Sequence, residues 1–136
     1  MTPSAILESA LYVDDLDAAE HFYGGVLGLP VIARVPGRHV FFRCGDGVLL
    51  LFVAEATKVP PAPGARFAVP PHGATGPGHL CFAATSAGID AWRERLASAG
   101  VAVEAEIEWP RGGRSIYFRD PSGNSLEFAE PRIWGF

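Results

Sequence analysis

The second half of the chain repeats the pattern of the first. Residues 37–43 and 113–119 both read Gly-Arg-x, then Val or Ile, an aromatic residue, Phe and Arg. The same offset places Gly47 under Gly123 and Leu51 under Glu127, and a slightly shorter offset places residues 8–13 under 79–84. A register kept over this much sequence predicts a duplicated module, and the chain must fold accordingly.

Each copy has the pattern of a strand, a helix and three further strands. In the first copy, three aspartates near residue 15 supply candidate helix caps, and Gly28 is placed to end the helix, as Gly100 is in the second copy. The patterns predict strands at 6–13, 30–35, 38–43 and 47–53, and at 79–84, 101–108, 114–119 and 124–129. We therefore predict an α+β fold in which two βαβββ modules form curved sheets around a central cleft.

The predicted organisation is a single domain over residues 1–136, with four parts. They are module one (5–53), a linker (54–78), module two (79–130) and an apolar tail (131–136). The linker holds six prolines and four glycines. Such a segment is expected to have no element of its own and to act as a lid, a binding loop or a connection. His72 is a minor candidate for a lid contact, and the tail is expected to cover a sheet edge at an interface.

Composition excludes several classes of protein. Apolar residues make up 49% of the chain and charged residues 19%, which suits a packed core. Fifteen acidic residues against eleven basic ones give a net charge of −4, so neither nucleic acid nor an anionic membrane is an expected partner. Two cysteines are too few for a disulfide framework, and the N-terminus lacks the basic start of a signal peptide. We expect a cytoplasmic protein.

Strand alternation selects the side chains that would line the cleft. Glu8 and His79 occupy equivalent positions on the first strand of each copy, on the less apolar face. Glu127 lies in an otherwise apolar strand, where a buried carboxylate is costly unless a cation or hydrogen-bond donors meet it. With Leu51 as the counterpart of Glu127, three of the four equivalent positions could bind a metal ion.

Residues 11–29 and 118–128 resemble the vicinal oxygen chelate superfamily. Its members include glyoxalase I, methylmalonyl-CoA epimerase, fosfomycin-resistance transferases, extradiol dioxygenases and bleomycin-resistance proteins. The resemblance implies that Glu8, His79 and Glu127 are metal ligands, with Glu8 and Glu127 also catalytic and Glu8 a candidate general base. The implied cofactor is a divalent ion, with Mn, Fe, Ni, Zn and Mg left open, and the implied assembly is a homodimer. The sequence departs from glyoxalases at Leu51, where they have an acid.

Other residues are candidates for substrate binding. Arg111 and Arg114 could hold an anionic group, although Arg38 at the equivalent position of Arg114 argues equally for a structural role. Tyr12, Trp109 and His39 complete the candidate set. Two functions remain open: a metal-dependent enzyme acting on a small oxygen-bearing metabolite, and a metal-free protein that binds a small molecule as bleomycin-resistance proteins do. The enzyme is the favoured hypothesis, with lyase, isomerase and oxygenase chemistry all possible.

Overall fold

The computed structural model describes residues 1–136, and these divide into two compact units, Met1–Gly76 and Pro77–Phe136. Each unit contains a four-stranded mixed sheet and the predicted βαβββ pattern. The first unit comprises β1 (Glu8–Tyr12), α1 (Leu16–Glu20), a π-helical segment (His21–Val26), β2 (Val31–Val35), β3 (His39–Cys44), β4 (Gly47–Phe52) and α2 (Ala54–Thr57). The second comprises β5 (His79–Ala83), α3 (Ser86–Ser98), β6 (Ala105–Glu108), β7 (Arg114–Arg119), β8 (Ser125–Ala129) and a short 3₁₀ helix (Pro131–Trp134).

The two sheets have the same strand order. The order is β1-β4-β3-β2 in the first unit and β5-β8-β7-β6 in the second. The first and last strands of each unit pair in parallel, and the other neighbours pair antiparallel. The duplication inferred from sequence therefore extends to the sheet topology, which confirms the predicted fold class.

The first helix begins as the sequence predicts but is not uniformly α-helical. Asp15 caps it, since its carboxylate accepts hydrogen bonds from the backbone N–H groups of two residues in the first turn. From His21–Val26 the turns widen to π-helical spacing, and Gly28, with φ of 78°, follows as expected. In an α-helix the neighbours Phe22 and Tyr23 would point about 100° apart. The wider turns coincide with both rings being buried.

One face of each sheet packs against its helix and forms the core of that unit. In the second unit the ring of Trp92 on α3 stacks on Phe128 of β8, with ring centroids 4.4 Å apart. Ile89 and Leu96 on the same helix are fully buried. No helix in the structure combines the length and the apolar character that crossing a membrane would require. Because the helix covers only one face of each sheet, the opposite face is left for other contacts.

The predicted linker is more ordered than its composition suggested. It begins with one helical turn, α2, where we expected no element. The backbone N–H of His72 then donates a hydrogen bond to the carbonyl of Thr57, with the N and O atoms 3.0 Å apart. The prolines prevent a longer element, while main-chain contacts to α2 still hold the segment on the first unit.

Gly113 supports the C-terminal tail and provides a test of it. A Cβ atom added at Gly113 would lie 2.6 Å from Cγ2 of Ile133, whereas one at Gly112 would meet nothing within 4 Å. Both glycines have positive φ, 85° and 96°. Each alanine variant therefore carries the strain of left-handed backbone, but only Gly113→Ala also displaces the tail. We expect Gly113→Ala to lower the free energy of unfolding by about 1–3 kcal/mol more than Gly112→Ala in urea denaturation. Equal losses would contradict this packing.

Candidate functional site

The sheet faces opposite the helices carry the residues that the sequence analysis placed in the cleft. On β1 the side chains of Glu8 and Ala10 are exposed while Leu11 is buried, and on β5 His79 and Cys81 are exposed. This alternation confirms the predicted faces of both strands. Each unit thus presents one sheet face with its candidate functional side chains on it.

The strand register corrects one assignment. β7 and β8 are joined by a turn one residue longer than the turn between β3 and β4, since Arg119 pairs with Ser125 but Arg43 pairs with Val48. The counterpart of Glu127 is therefore Leu50, and the sequence prediction of Leu51 is wrong. Comparing the two turns, Cys-Gly-Asp-Gly and Asp-Pro-Ser-Gly-Asn, could have revealed the shift. The position is still a leucine, so it offers no fourth ligand.

His79 and Glu127 lie together on the face of the second sheet that is opposite α3. We call the face opposite the helix the free face of each sheet. His79 Nε2 is 3.3 Å from Glu127 Oε2, and Nδ1 is 3.0 Å from the backbone oxygen of Ser125. A carbonyl oxygen can only accept, so Nδ1 carries the proton and donates it. In the neutral imidazole Nε2 then bears a lone pair directed at a carboxylate oxygen. Two lone pairs at this distance repel unless a cation, either a proton or a metal ion, lies between them.

The pair has the geometry of two ligands of one metal ion. Ligand atoms at about 2.0–2.2 Å from a common ion are about 2.8–3.6 Å apart in octahedral or tetrahedral coordination. Histidines that bind metal ions commonly donate their other ring N–H to a backbone carbonyl or a carboxylate, as His79 does to Ser125. Glu127 is only 5% exposed, and its second oxygen, Oε1, is buried without a hydrogen-bond partner. These residues therefore fit a divalent cation.

Within the second unit, no third His, Cys, Asp or Glu side chain joins this pair in a group that could enclose an ion. The remaining predicted ligand, Glu8, is exposed at the start of β1 in the first unit. Its carboxylate lies on the free face of its own sheet, as predicted. Its participation stays a prediction.

Tyr117 and Cys81 flank Glu127 on the neighbouring strands. Tyr117 pairs with Glu127 across β7 and β8, and Cys81 pairs with it across β5 and β8. Partial desolvation by the surrounding side chains, together with the adjacent carboxylate, raises the pKa of Tyr117 to about 12 and that of Cys81 to about 12. Both groups are therefore protonated at neutral pH. Tyr117 is a hydrogen-bond donor beside the carboxylate, while Cys81 is a poor nucleophile.

Tyr117 was not among the site residues predicted from the sequence. Its ring also stacks near His79, with centroids 6.3 Å apart. The alternation of β7 predicts the face on which it lies, but its proximity to Glu127 depends on the register across the hairpin. That register follows from the turn length discussed above.

The free face of the first sheet carries a cluster of rings instead of carboxylates. We call it the ring cluster; its members are Tyr12, His39, Phe41, Phe52 and His72. His39 stacks on Phe41 with centroids 4.0 Å apart, and His72 meets Phe52 edge-on at 4.7 Å. The Tyr12 hydroxyl and Nδ1 of His72 are hydrogen-bonded at 2.7 Å.

The two histidines of the ring cluster, His39 and His72, differ in their surroundings. Burial lowers the pKa of His39, and Arg38 contributes to this shift, so the ring is neutral at physiological pH. Its Nδ1 is buried without a hydrogen-bond partner. His72 comes from the predicted linker and is the residue by which that segment reaches the sheet face.

The remaining predicted substrate residues are placed as follows. Arg114 is engaged by its own unit, since its guanidinium contacts Asp90 at 2.6 Å and the carbonyl of Ser86 at 2.7 Å. These contacts match the structural alternative considered for it. Arg111 is exposed in the β6–β7 hairpin. Trp109 Nε1 donates to Ser115 Oγ at 2.8 Å.

Comparison with known proteins adds to this geometry. Residues 5–128 match the family profile of the glyoxalase/bleomycin resistance protein/dioxygenase superfamily. The crystal structure of a lactoylglutathione lyase from Agrobacterium tumefaciens is similar over 100% of both chains, with 47% identity and a TM-score of 0.94. No curated protein matches the chain.

More distant solved structures share the fold. A glyoxalase/bleomycin resistance protein/dioxygenase from Nocardioides is 25% identical with a TM-score of 0.71, over 96% of this chain and 85% of that one. A virulence protein from Salmonella typhimurium is 27% identical with a TM-score of 0.69, over 96% and 98%. The profile match covers nearly the whole chain and includes both βαβββ modules, so this chain belongs to the glyoxalase/bleomycin resistance protein/dioxygenase superfamily.

Proposed function

We propose that the chain is a metal-dependent, glyoxalase-like enzyme acting on a small metabolite with neighbouring oxygen atoms. The observation that carries this proposal is the lone pair of His79 Nε2, held 3.3 Å from Glu127 Oε2 by the hydrogen bond from Nδ1. The resemblance to a lactoylglutathione lyase favours lyase chemistry over oxygenase chemistry, and a glutathione adduct of a small oxoaldehyde is the substrate we propose.

His79 and Glu127 would hold a divalent ion, with Glu8 as the third ligand from the same chain or from a second copy. When bound, such an ion polarises the substrate oxygens and stabilises negative charge that develops on them. The ion itself is not specified, because one imidazole and two carboxylates suit Mn²⁺, Fe²⁺, Ni²⁺, Zn²⁺ and Mg²⁺.

The protein's own groups supply the proton chemistry in this proposal. Glu127 Oε1 has no hydrogen-bond partner and is shielded from water, so its lone pairs are available to take a proton from a substrate carbon next to an oxygen. The neutral Tyr117 hydroxyl beside the carboxylate can orient it. Glu8 is the alternative base. Burial of the Glu127 carboxylate excludes water that would compete for the same proton.

Metal content tests the proposal directly. Protein purified without a His-tag and incubated with Mn²⁺ or Ni²⁺ should retain about one ion per chain by elemental analysis, and His79→Ala and Glu127→Ala should each lose at least tenfold in affinity. The matched controls are His21→Ala and Glu94→Ala, which remove exposed side chains of the same types from helical segments. Turnover of the methylglyoxal–glutathione adduct should disappear in the same two variants that lose the metal.

The alternative function is a metal-free protein that binds a small molecule. Leu50 at the position equivalent to Glu127, together with the ring cluster, favours it, because both make the first sheet's face suited to apolar contact. Wild-type protein that binds neither Mn²⁺ nor Ni²⁺ above the level of the two alanine variants would favour this function and refute the enzyme.

A further inference from the structure

Two polar side chains are buried in the turn between β7 and β8, and the proposed function does not use them. Asp120 is 4% exposed and Asn124 is 1% exposed, and we call them the turn pair. Oδ1 of Asp120 accepts hydrogen bonds from the backbone N–H groups of Ser122 and Asn124, both at 2.9 Å. Its Oδ2 accepts a third hydrogen bond from Nδ2 of Asn124 at 2.8 Å. Because a carboxylate only accepts, the amide of Asn124 must turn its oxygen the other way.

The amide oxygen of Asn124 contacts the residue that precedes His79. It accepts a hydrogen bond from the backbone N–H of Gly78 at 2.7 Å. The carbonyl of Gly78 in turn accepts from the backbone N–H of Ser125 at 2.9 Å. The carbonyl of Ser125 accepts the proton of His79 Nδ1 at 3.0 Å. A continuous series of hydrogen bonds therefore links the turn pair to the imidazole.

The His79 ring needs such support because its side chain is 52% exposed. Packing does not enclose the ring, so the hydrogen bond from Nδ1 to Ser125 decides which ring nitrogen keeps its lone pair. If the start of β8 moved relative to β5, Nδ1 would lose its acceptor and the proton would be free to move to Nε2. A ligand role for Nε2 requires the lone pair there. The placement of the Ser125 carbonyl is thus a requirement of the site.

The sheet itself does not require the turn pair. In the first unit Gly47 occupies the position of Asn124, and Leu7 occupies that of Gly78. The backbone hydrogen bond between the two strands is kept, from the N–H of Val48 to the carbonyl of Leu7 at 3.0 Å. Strand order and parallel pairing are the same with no side chain at that position. The turn pair is therefore particular to the unit that carries the imidazole–carboxylate pair.

We propose that Asn124 is a positioning residue of the candidate metal site. Acting through the backbone of Gly78 and Ser125, it holds the His79 ring with Nδ1 protonated and Nε2 directed at Glu127. The inference rests on the proposed function only in taking His79 as a metal ligand, because the tautomer is a property of the metal-free protein. A ring that is already oriented does not have to be ordered when an ion binds, which favours binding.

Exchanging the two members of the turn pair tests the proposal. Asn124→Asp sets two carboxylates against each other where a nitrogen and an oxygen are now 2.8 Å apart. Asp120→Asn sets two NH₂ groups against each other, because its oxygen must stay on the backbone N–H groups of the turn. The double variant Asp120→Asn/Asn124→Asp restores the contact with donor and acceptor exchanged, and an oxygen at position 124 still accepts from Gly78.

The first measurement is the tautomer of His79 in metal-free protein. Nitrogen-15 NMR at about pH 8.5, well above the ordinary imidazole pKa of about 6.5, identifies the protonated ring nitrogen. The His79 signals are assigned by their absence in His79→Ala. Wild-type protein and the double variant should carry the proton on Nδ1, whereas each single variant should show a mixture of the two tautomers.

The second measurement is metal affinity by titration calorimetry with Mn²⁺ or Ni²⁺. Each single variant should bind about tenfold or more weakly than wild type, and the double variant within about threefold of it. Asn124→Gly reproduces the residue of the first unit, whose sheet forms with glycine at this position. It should behave like the single variants, and it supplies both measurements if their opposed groups prevent folding.

The matched control is Thr85→Ala, which removes the side-chain cap of α3 in the same unit. It should lower stability but keep the wild-type tautomer and affinity. The inference is overturned if wild-type His79 carries its proton on Nε2, if Asn124→Gly keeps the Nδ1 tautomer, or if Thr85→Ala loses it. A double variant that folds without the Nδ1 tautomer also contradicts it. A tautomer that depends on Asn124 in a protein that binds neither ion would support the positioning of His79 and refute the metal-dependent function.

Discussion

Leu51→Glu is expected to prevent the chain from folding. Leu51 is 0% exposed and pairs with Leu11 and Val40 on the face that packs against the helix. A carboxylate there meets no cation and would be desolvated at a cost of at least about 4 kcal/mol. That is comparable to the whole stability of a typical domain, about 5–15 kcal/mol. The variant should be insoluble, or lack a cooperative unfolding transition in circular dichroism.

Leu50→Glu is the matched variant, one residue away on the same strand. Leu50 is 9% exposed and lies on the face that carries Glu8, in the position that Glu127 occupies in the second unit. We expect it to fold with a loss of about 1–3 kcal/mol, since the second unit already accepts a carboxylate at that position. A folded Leu51→Glu together with an unfolded Leu50→Glu would restore the register first inferred from the sequence.

Glu127→Leu is expected to stabilise the metal-free protein. Its carboxylate is 5% exposed with one oxygen unpartnered, and its neighbours Cys81 and Tyr117 are neutral at pH 7. Burying a polar atom without a hydrogen-bond partner costs about 1–3 kcal/mol, so an apolar side chain of similar volume should raise the free energy of unfolding by up to that amount. Urea denaturation in the presence of EDTA should show the gain, while the metal-dependent increase in stability disappears.

Glu127→Gln separates charge from polarity in that experiment. The amide keeps the shape and one acceptor oxygen but remains a buried polar group, so we expect little or no gain in metal-free stability. If Glu127→Leu instead lowers the free energy of unfolding by more than 1 kcal/mol, the carboxylate is structurally required. A structural role of the Glu127 carboxylate would then explain its presence without a metal ion.

Much of the fold is readable from local sequence patterns. The Gly-Arg-x repeat predicted two sheets of identical topology, and seven of the eight predicted strands overlap the observed ones closely, β6 beginning later than expected. Asp15 and Gly28 delimit the first helix as expected, because capping and left-handed backbone depend on single residues. The π-helical segment was not predicted, and its wider turns coincide with the burial of Phe22 and Tyr23, which depends on the core around them.

The candidate site also combines features that the sequence predicts with features that only the structure provides. Strand alternation is a local property, so the sequence alone placed Glu8 and His79 on the free faces of their strands. The identity of Glu127 as an acid in an apolar strand was likewise visible in the sequence. Which side chains meet across strands depends on the register of the two strands. That register is set by both strands and by the length of the turn between them, so no single local pattern predicts it.

By itself, then, the sequence determined the duplicated architecture, the cap of the first helix and the strand faces on which Glu8 and His79 lie, because each rests on the chemistry of neighbouring residues. Only the tertiary structure decided that Leu50 occupies the position in the first sheet that Glu127 occupies in the second, and that Ser125 fixes the tautomer of His79. It also brought His72 from the linker onto Tyr12. These contacts join residues far apart in the chain, and no local pattern specifies a distance between them.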